Sequence, residues 1–231
     1  MTGTLFGVGV GPGDPELLTL RAVRILGQCR VVAYPRADDK LSTARAIAGG
    51  HINPNATELP YRLAMTPDGQ DAQKAYDALA ARLVLPLQQG QDVAILCEGD
   101  PLFYGSFAEV MHRLAERFPV SVVPGVSAAH AAAAALPLTL VQRNECWTVL
   151  PAPLPTSTLE AMLGATNAAA ILKLGRHYPR VRALLDRMGL TPHAYCCERV
   201  GQAGERLTSL SDYTSDTAPY FSLILVRKPS A

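Results

Sequence analysis

No uninterrupted apolar stretch in this chain reaches the roughly 20 residues needed to cross a bilayer. The nearest, Ala129 to Leu140, is broken by His130 and Pro137 and reads as a buried helix. A membrane partner is not expected. Cysteine is scarce: Cys29, Cys97, Cys146, Cys196 and Cys197 are an odd set without a CxxC spacing, and the vicinal pair is badly placed for an ordinary disulfide. That excludes a disulfide scaffold and points to a reducing cytoplasm. The N-terminus lacks the basic-then-apolar pattern of a secretory signal, which fits a cytoplasmic protein. A dominant charge is also missing, since the formal net charge is only +1. Nothing then holds a polyanion at long range, and nucleic acid is not expected as a main partner. No HxxxH or Cys/His spacing suggests a metal.

What is present is apolar and small. Hydrophobic residues make up 48% against 18% charged, which excludes a disordered or fibrous chain. The 231 residues allow one large or two small domains. Thr4 to Val10 reads as a strand entering a Pro/Gly turn, and Glu16 to Leu26 as a helix with Leu17, Leu20, Val23 and Leu26 at helical spacing. Arg30 to Tyr34 is a second strand ended by Pro35, and Ser42 caps a helix through Ile47. Thr57 to Pro60, Asp92 to Cys97 and Ser121 to Val123 are further strands, with helices over Ala72 to Gln89 and Phe107 to Arg117. Repeated strand-then-helix units predict an α/β fold with a mainly parallel sheet. Beyond Trp147, Pro151, Pro153 and Pro155 interrupt the chain, and strands at Ala169 to Leu174, Ala194 to Cys197 and Tyr220 to Val226 have fewer helices around them. We expect two α/β domains, 1–123 and 124–231, with the boundary near Val122 to Ser127.

Three strand-to-helix loops stand out. Gly7-Val8-Gly9-Val10-Gly11-Pro12-Gly13-Asp14 has glycine at alternate positions, which lets backbone approach a ligand. A dinucleotide fingerprint is the first rival, with Asp38 or Asp39 as a ribose-binding acid. It fails in detail: a G-x-G-x-x-G frame from Gly7 ends on Pro12, one from Gly9 ends on Asp14, and Pro12 removes an amide a pyrophosphate would use. A ligand-free tight turn remains open. The second loop, Glu98-Gly99-Asp100-Pro101-Leu102-Phe103-Tyr104, offers Asp100 as an acceptor and Phe103 or Tyr104 as an apolar wall, unless Asp100 merely caps the next helix. The third is Pro124-Gly125-Val126-Ser127-Ala128. The first two converge on one crevice if their strands are neighbours.

In this order, Gly-Pro-Gly-Asp-Pro-Glu-Leu-Leu-Thr-Leu-Arg-Ala from Gly11, Tyr34-Pro35, Glu98-Gly99-Asp100-Pro101, Val123-Pro124-Gly125-Val126-Ser127, Leu174-Gly175 and Cys197-Glu198-Arg199-Val200-Gly201 resemble the tetrapyrrole (corrin/porphyrin) methylases, the class III methyltransferases. Within that family, Cys97-Glu98-Gly99-Asp100-Pro101-Leu102-Phe103-Tyr104-Gly105-Ser106-Phe107 is most similar to the precorrin-2 C20-methyltransferases of cobalamin biosynthesis. The resemblance implies S-adenosylmethionine held in a cleft between two α/β domains. It places Pro12, Glu98, Gly99, Asp100, Phe103, Ser127, Ala128, Leu174, Val200 and Gly201 at the cofactor. It also implies a homodimer, a tetrapyrrole substrate and S-adenosylhomocysteine as product. Cobalt-factor II C20-methyltransferase, a uroporphyrinogen methylase and diphthine synthase are the neighbouring readings. A catalytically silent binding module and an NAD(P) oxidoreductase are the readings from other classes.

Methyl transfer from a sulfonium needs orientation more than acid catalysis, and proximity alone can contribute about 7 to 11 kcal/mol. The candidate proton acceptors are His51, His112, His130, His177, His193, Tyr34 and Tyr104, and the sequence does not choose among them. The carboxylate arms of a precorrin call for cations. Arg36, Lys40 and Arg45 after the second strand, and Lys173, Arg176, His177 and Arg180 in the second domain, are the candidates, with Tyr34 and Tyr104 beside them as substrate contacts.

Overall fold

The computed structural model describes residues 1–36, 41–62 and 70–229. It divides into two compact units, Met1–Ser127 and Ala128–Ala231, so Pro124 to Ser127 belong to the first.

The first unit is a five-stranded sheet of order β3-β2-β4-β1-β5, built from β1 (Leu5–Gly9), β2 (Val31–Arg36), β3 (Thr57–Arg62), β4 (Val93–Cys97) and β5 (Val120–Val123). Every pairing is parallel, as the strand-helix alternation predicts. Alternate residues face opposite sides of the pleat. Leu5, Val31, Ala33, Val93, Ile95 and Cys97 therefore pack against Leu79, Leu83 and Leu87 of α3 (Gln70–Gln88) and Phe107, Val110 and Leu114 of α4 (Phe107–Leu114). On the other face Val8, Val32, Ala94, Leu96 and Val123 meet Ala22, Ile25 and Leu26 of α1 (Leu20–Gln28) and Ala44, Ile47 and Ala48 of α2 (Thr43–Ala48).

Two local expectations are corrected. The segment Glu16 to Leu26 is not one helix: Asp14 caps a single 3-10 turn at Pro15–Leu17, and Thr19 Oγ1 then caps α1 by accepting the Ala22 amide. Pro35 does not end β2, which runs to Arg36. Among the described residues β4 pairs with β2 only through Ala33, so beyond that point β2 has a described neighbour on one side alone and the missing amide of Pro35 costs no ladder bond to β4.

The second unit holds a mixed sheet of order β6-β7-β10-β8-β9. Its strands are β6 (Trp147–Pro151), β7 (Ala168–Leu172), β8 (Ala194–Glu198), β9 (Arg206–Ser209) and β10 (Ser222–Arg227), with β10 antiparallel to both β7 and β8. Leu159 and Leu163 of α6 (Thr156–Ala165) and Val181, Leu184 and Leu185 of α7 (Tyr178–Arg187) bury its face at Leu150, Ile171, Cys196 and Ile224. The alanine-rich helix α5 (Ala128–Ala135) lies against β10 and stops ahead of Pro137. Among the described residues no helix is long and apolar enough to cross a membrane.

Candidate functional site

β1 lies between β4 and β5 with all three parallel, so the three loops singled out in the sequence leave one sheet edge side by side. The first two are stitched together by backbone. Val10 donates to the Cys97 carbonyl at 2.9 Å, Gly11 to Gly99 O at 3.3 Å, and Gly99 back to Gly11 O at 2.8 Å. Gly11 and Gly99 sit at φ +77° and +68°, where only glycine is unstrained. Asp100 ties in the third loop: its Oδ2 accepts the Gly125 amide at 3.0 Å and its Oδ1 the Leu102 amide at 2.9 Å. The packing is backbone on backbone. A Cβ on Gly125 would lie 2.0 Å from Gly99 O, and one on Gly9 would lie 2.6 Å from Gly125 N.

Gly9 and Gly11 thus serve the contact of loop with loop, while Gly7 makes room for the Phe107 ring. The amides of Val10, Gly11, Gly99 and Gly125 are all engaged by protein acceptors, and Pro12 has none. A pyrophosphate bound through these amides would have to break that stitching, which removes the basis of the dinucleotide reading. Phe103 and Tyr104, 38% and 50% exposed, stand in the second loop with ring centroids 5.2 Å apart, edge to face.

Pro12, Glu98, Gly99, Asp100 and Phe103 therefore belong to this cluster of loops, and Ser127 ends the third. Two of them also have protein partners that the sequence did not announce. Asp100 does not cap a helix, since α4 begins only at Phe107, and both its oxygens are used within the loops. Glu98 turns its Oε1 to the Ala44 amide of α2 at 3.2 Å, and burial pushes its carboxyl pKa above the ordinary range.

Around β2 and β3, Tyr34 donates its hydroxyl to Glu58 Oε2 at 2.7 Å. Arg45 grips the same carboxylate at both oxygens, Nε to Oε2 at 3.0 Å and Nη2 to Oε1 at 2.8 Å. Arg45 is thus committed to an internal partner rather than open to a substrate arm. The Arg45 hydrogen bond holds Glu58 below the usual carboxylate range, while burial and then the Glu58 hydrogen bond raise Tyr34, so Tyr34 stays a donor and not a base. Glu58 had no motif to announce it. The only signal was an acid on a strand beside Tyr34. Arg36 is exposed at the end of β2, while Asp38, Asp39 and Lys40 lie outside the described residues.

In the second unit, β10 runs antiparallel between β7 and β8, so the turns after those two strands share a sheet edge. Leu174, buried, accepts the His177 amide at 2.7 Å, and Val200 is buried beside Gly201, whose amide reaches Glu205 Oε2 at 2.6 Å. Tyr220 and Phe221, exposed, enter β10 at the same edge. Ala128 opens α5. Arg176 is exposed beside His177, whose pKa is lowered by burial and by Arg176 and Arg180. Arg180 is turned inward, donating to Thr156 Oγ1 at 2.9 Å and to the Ala152 carbonyl.

Among the described residues no His, Cys, Asp and Glu cluster fits a metal. All five cysteines are free, and burial pushes Cys29, Cys97, Cys196 and Cys197 each up to about 12. Iodoacetamide at pH 8 should therefore label the exposed Cys146 alone in the native protein, as mass spectrometry of the peptides will show.

Residues 4–212 match the family described as Tetrapyrrole (Corrin/Porphyrin) Methylases. The chain is 40% identical over 232 residues to a precorrin-2 C(20)-methyltransferase of Sinorhizobium sp., covering 97% of this chain and 95% of that one. It is 27% identical to a cobalt-precorrin-2 C(20)-methyltransferase of Salmonella typhimurium, over 99% and 98% of the two chains. Among solved structures it is similar to uroporphyrin-III C-methyl transferase from Thermus thermophilus complexed with S-adenosylhomocysteine. That similarity has a TM-score of 0.66 at 24% identity and covers 97% of each chain.

Proposed function

The chain belongs to the tetrapyrrole (corrin/porphyrin) methylases, and from that premise we propose that it transfers a methyl group from S-adenosylmethionine to C20 of precorrin-2, giving precorrin-3A in cobalamin biosynthesis. Near-full-length identity of 40% to an enzyme of that name carries the reading. The loop cluster after β1, β4 and β5 supports it to the extent that its amides, engaged by protein acceptors, are not offered to a phosphate.

The bound donor supplies an electrophilic methyl. The chain's own residues hold and orient. Pro12, Gly99 and Asp100 shape a rigid wall of backbone, Phe103 offers an apolar surface, and Leu174, Val200 and Gly201 are the assigned contacts from the second unit. Arg36, Lys40 and Arg176 are assigned to substrate carboxylates, with Tyr34 and Tyr104 beside the macrocycle. Fixing the meso carbon in line with the methyl is the main catalytic contribution, up to about 7 to 11 kcal/mol. The reading includes a homodimer working in the cytoplasm.

The test offers purified protein labelled S-adenosylmethionine with either metal-free precorrin-2 or its cobalt complex. Label should enter C20 of the metal-free substrate; entry only into the cobalt form would reassign the substrate, and entry into neither would refute the assignment. In parallel, S-adenosylhomocysteine should raise the melting temperature and nicotinamide cofactors should not.

A further inference from the structure

Glu98 stands in the second loop, yet its carboxylate reaches out of the loop cluster to α2. A helix leaves its first amides without internal partners. In α2, Ser42 Oγ takes the Arg45 amide at 3.3 Å, and the Ala44 amide is taken by Glu98 Oε1 at 3.2 Å. One of the two caps is therefore local and the other comes from 54 residues away. The next residue, Arg45, is the one whose side chain spans both oxygens of Glu58, and Glu58 in turn receives the Tyr34 hydroxyl. Gly49 is what makes room for this guanidinium, since a Cβ there would come within 2.7 Å of Arg45 Nη1. A continuous path of contacts runs from the second loop through the start of α2 to Tyr34, entirely within the first unit.

The Arg45–Glu58 pair is weak as a stabilising device, because both side chains are about a third exposed, 39% and 31%. Its geometry is well defined all the same, bidentate and shared with a tyrosine. That combination suits a part that sets position rather than one that holds the fold.

We propose that Glu98 is a positioning residue that ties the methyl-donor loops to α2 and thereby sets where Arg45, Glu58 and Tyr34 stand beside the tetrapyrrole. The proposal rests on the C20-methyltransferase reading for its substrate, while the link itself does not. Glu98 acts through an accepting oxygen, so a glutamine retains the function and an alanine loses it.

The experiment compares wild type, Glu98→Gln and Glu98→Ala. Hydrogen exchange by NMR reads the link without any substrate: Ala44 and Arg45 amides should lose protection in Glu98→Ala and keep it in Glu98→Gln. In steady-state kinetics Glu98→Ala should raise KM for precorrin-2 about tenfold, a larger change than in its S-adenosylhomocysteine affinity, with Glu98→Gln restoring KM. Unchanged exchange at Ala44 in Glu98→Ala overturns the proposal. So does a variant whose S-adenosylhomocysteine affinity falls while KM for precorrin-2 holds, and so does a Glu98→Gln as impaired as Glu98→Ala. Should wild type methylate no precorrin, the reaction assignment falls and the exchange data still decide the link.

Discussion

Gly125→Ala is expected to slow methyl transfer and to weaken S-adenosylhomocysteine binding, each by about ten- to a hundredfold. The added methyl would meet the Gly99 carbonyl at 2.0 Å and Gly9 Cα at 2.9 Å. These are backbone atoms and have no rotamer to escape into. Either the third loop lifts away or the Gly11–Gly99 bridge opens, and overpacking of this kind costs about 1 to 3 kcal/mol. Calorimetric titration with S-adenosylhomocysteine and urea unfolding separate the two consequences. Gly50→Ala is the matched control, since a Cβ there meets nothing within 4 Å, and it should change stability by less than about 0.5 kcal/mol. A Gly125→Ala protein that binds S-adenosylhomocysteine normally would show that the loops are not packed as described.

The second large effect is expected from Asp100→Asn. Asp100 accepts two amide protons with two different oxygens, from Gly125 and from Leu102. Asparagine has nearly the same shape but only one accepting oxygen, so its own NH2 must face one of those amides. An unsatisfied donor costs about 1 to 3 kcal/mol, and the rate at low substrate should fall by about ten- to a hundredfold with kcat carrying part of the loss. A variant with wild-type kcat/KM would mean that the tie between the second and third loops is dispensable.

Much of the scaffold was readable in the residues because the signals are local. The apolar run Val93 to Cys97 and the Ser42 cap of α2 needed nothing but their own neighbourhood. Where expectation departed from structure, a competing interaction lay elsewhere in the chain or in a local cap. Glu16 to Leu26 has a helical spacing of leucines, but Thr19 restarts the helix at Leu20. Pro35 looks like a strand end until the short reach of β4 is known. In the second unit the prolines around Pro153 hid β6 and α6, and the strand β9 carries too much polarity to announce itself.

The site was legible as a set of motifs and illegible as a set of contacts. Glycine at alternate positions suggested close approach to a ligand. That the glycines approach one another depends on β1 lying between β4 and β5, a fact of strand order that no single motif contains. Glu58 is the clearest omission. Its importance comes from Arg45 and Tyr34, and a lone acid on a strand is otherwise unremarked.

The same strand order bears on how the molecule is made. β1 emerges well before either of its sheet neighbours, and the bond from Thr4, just ahead of it, to Asp92 spans 88 residues. Closing such loops costs entropy before any contact repays it, which makes this pairing slow relative to local helix formation. The edge formed by the three loops therefore cannot exist on a growing chain until β5 has been synthesised, and its Gly-rich first loop must wait, unpartnered, through most of the first unit's synthesis.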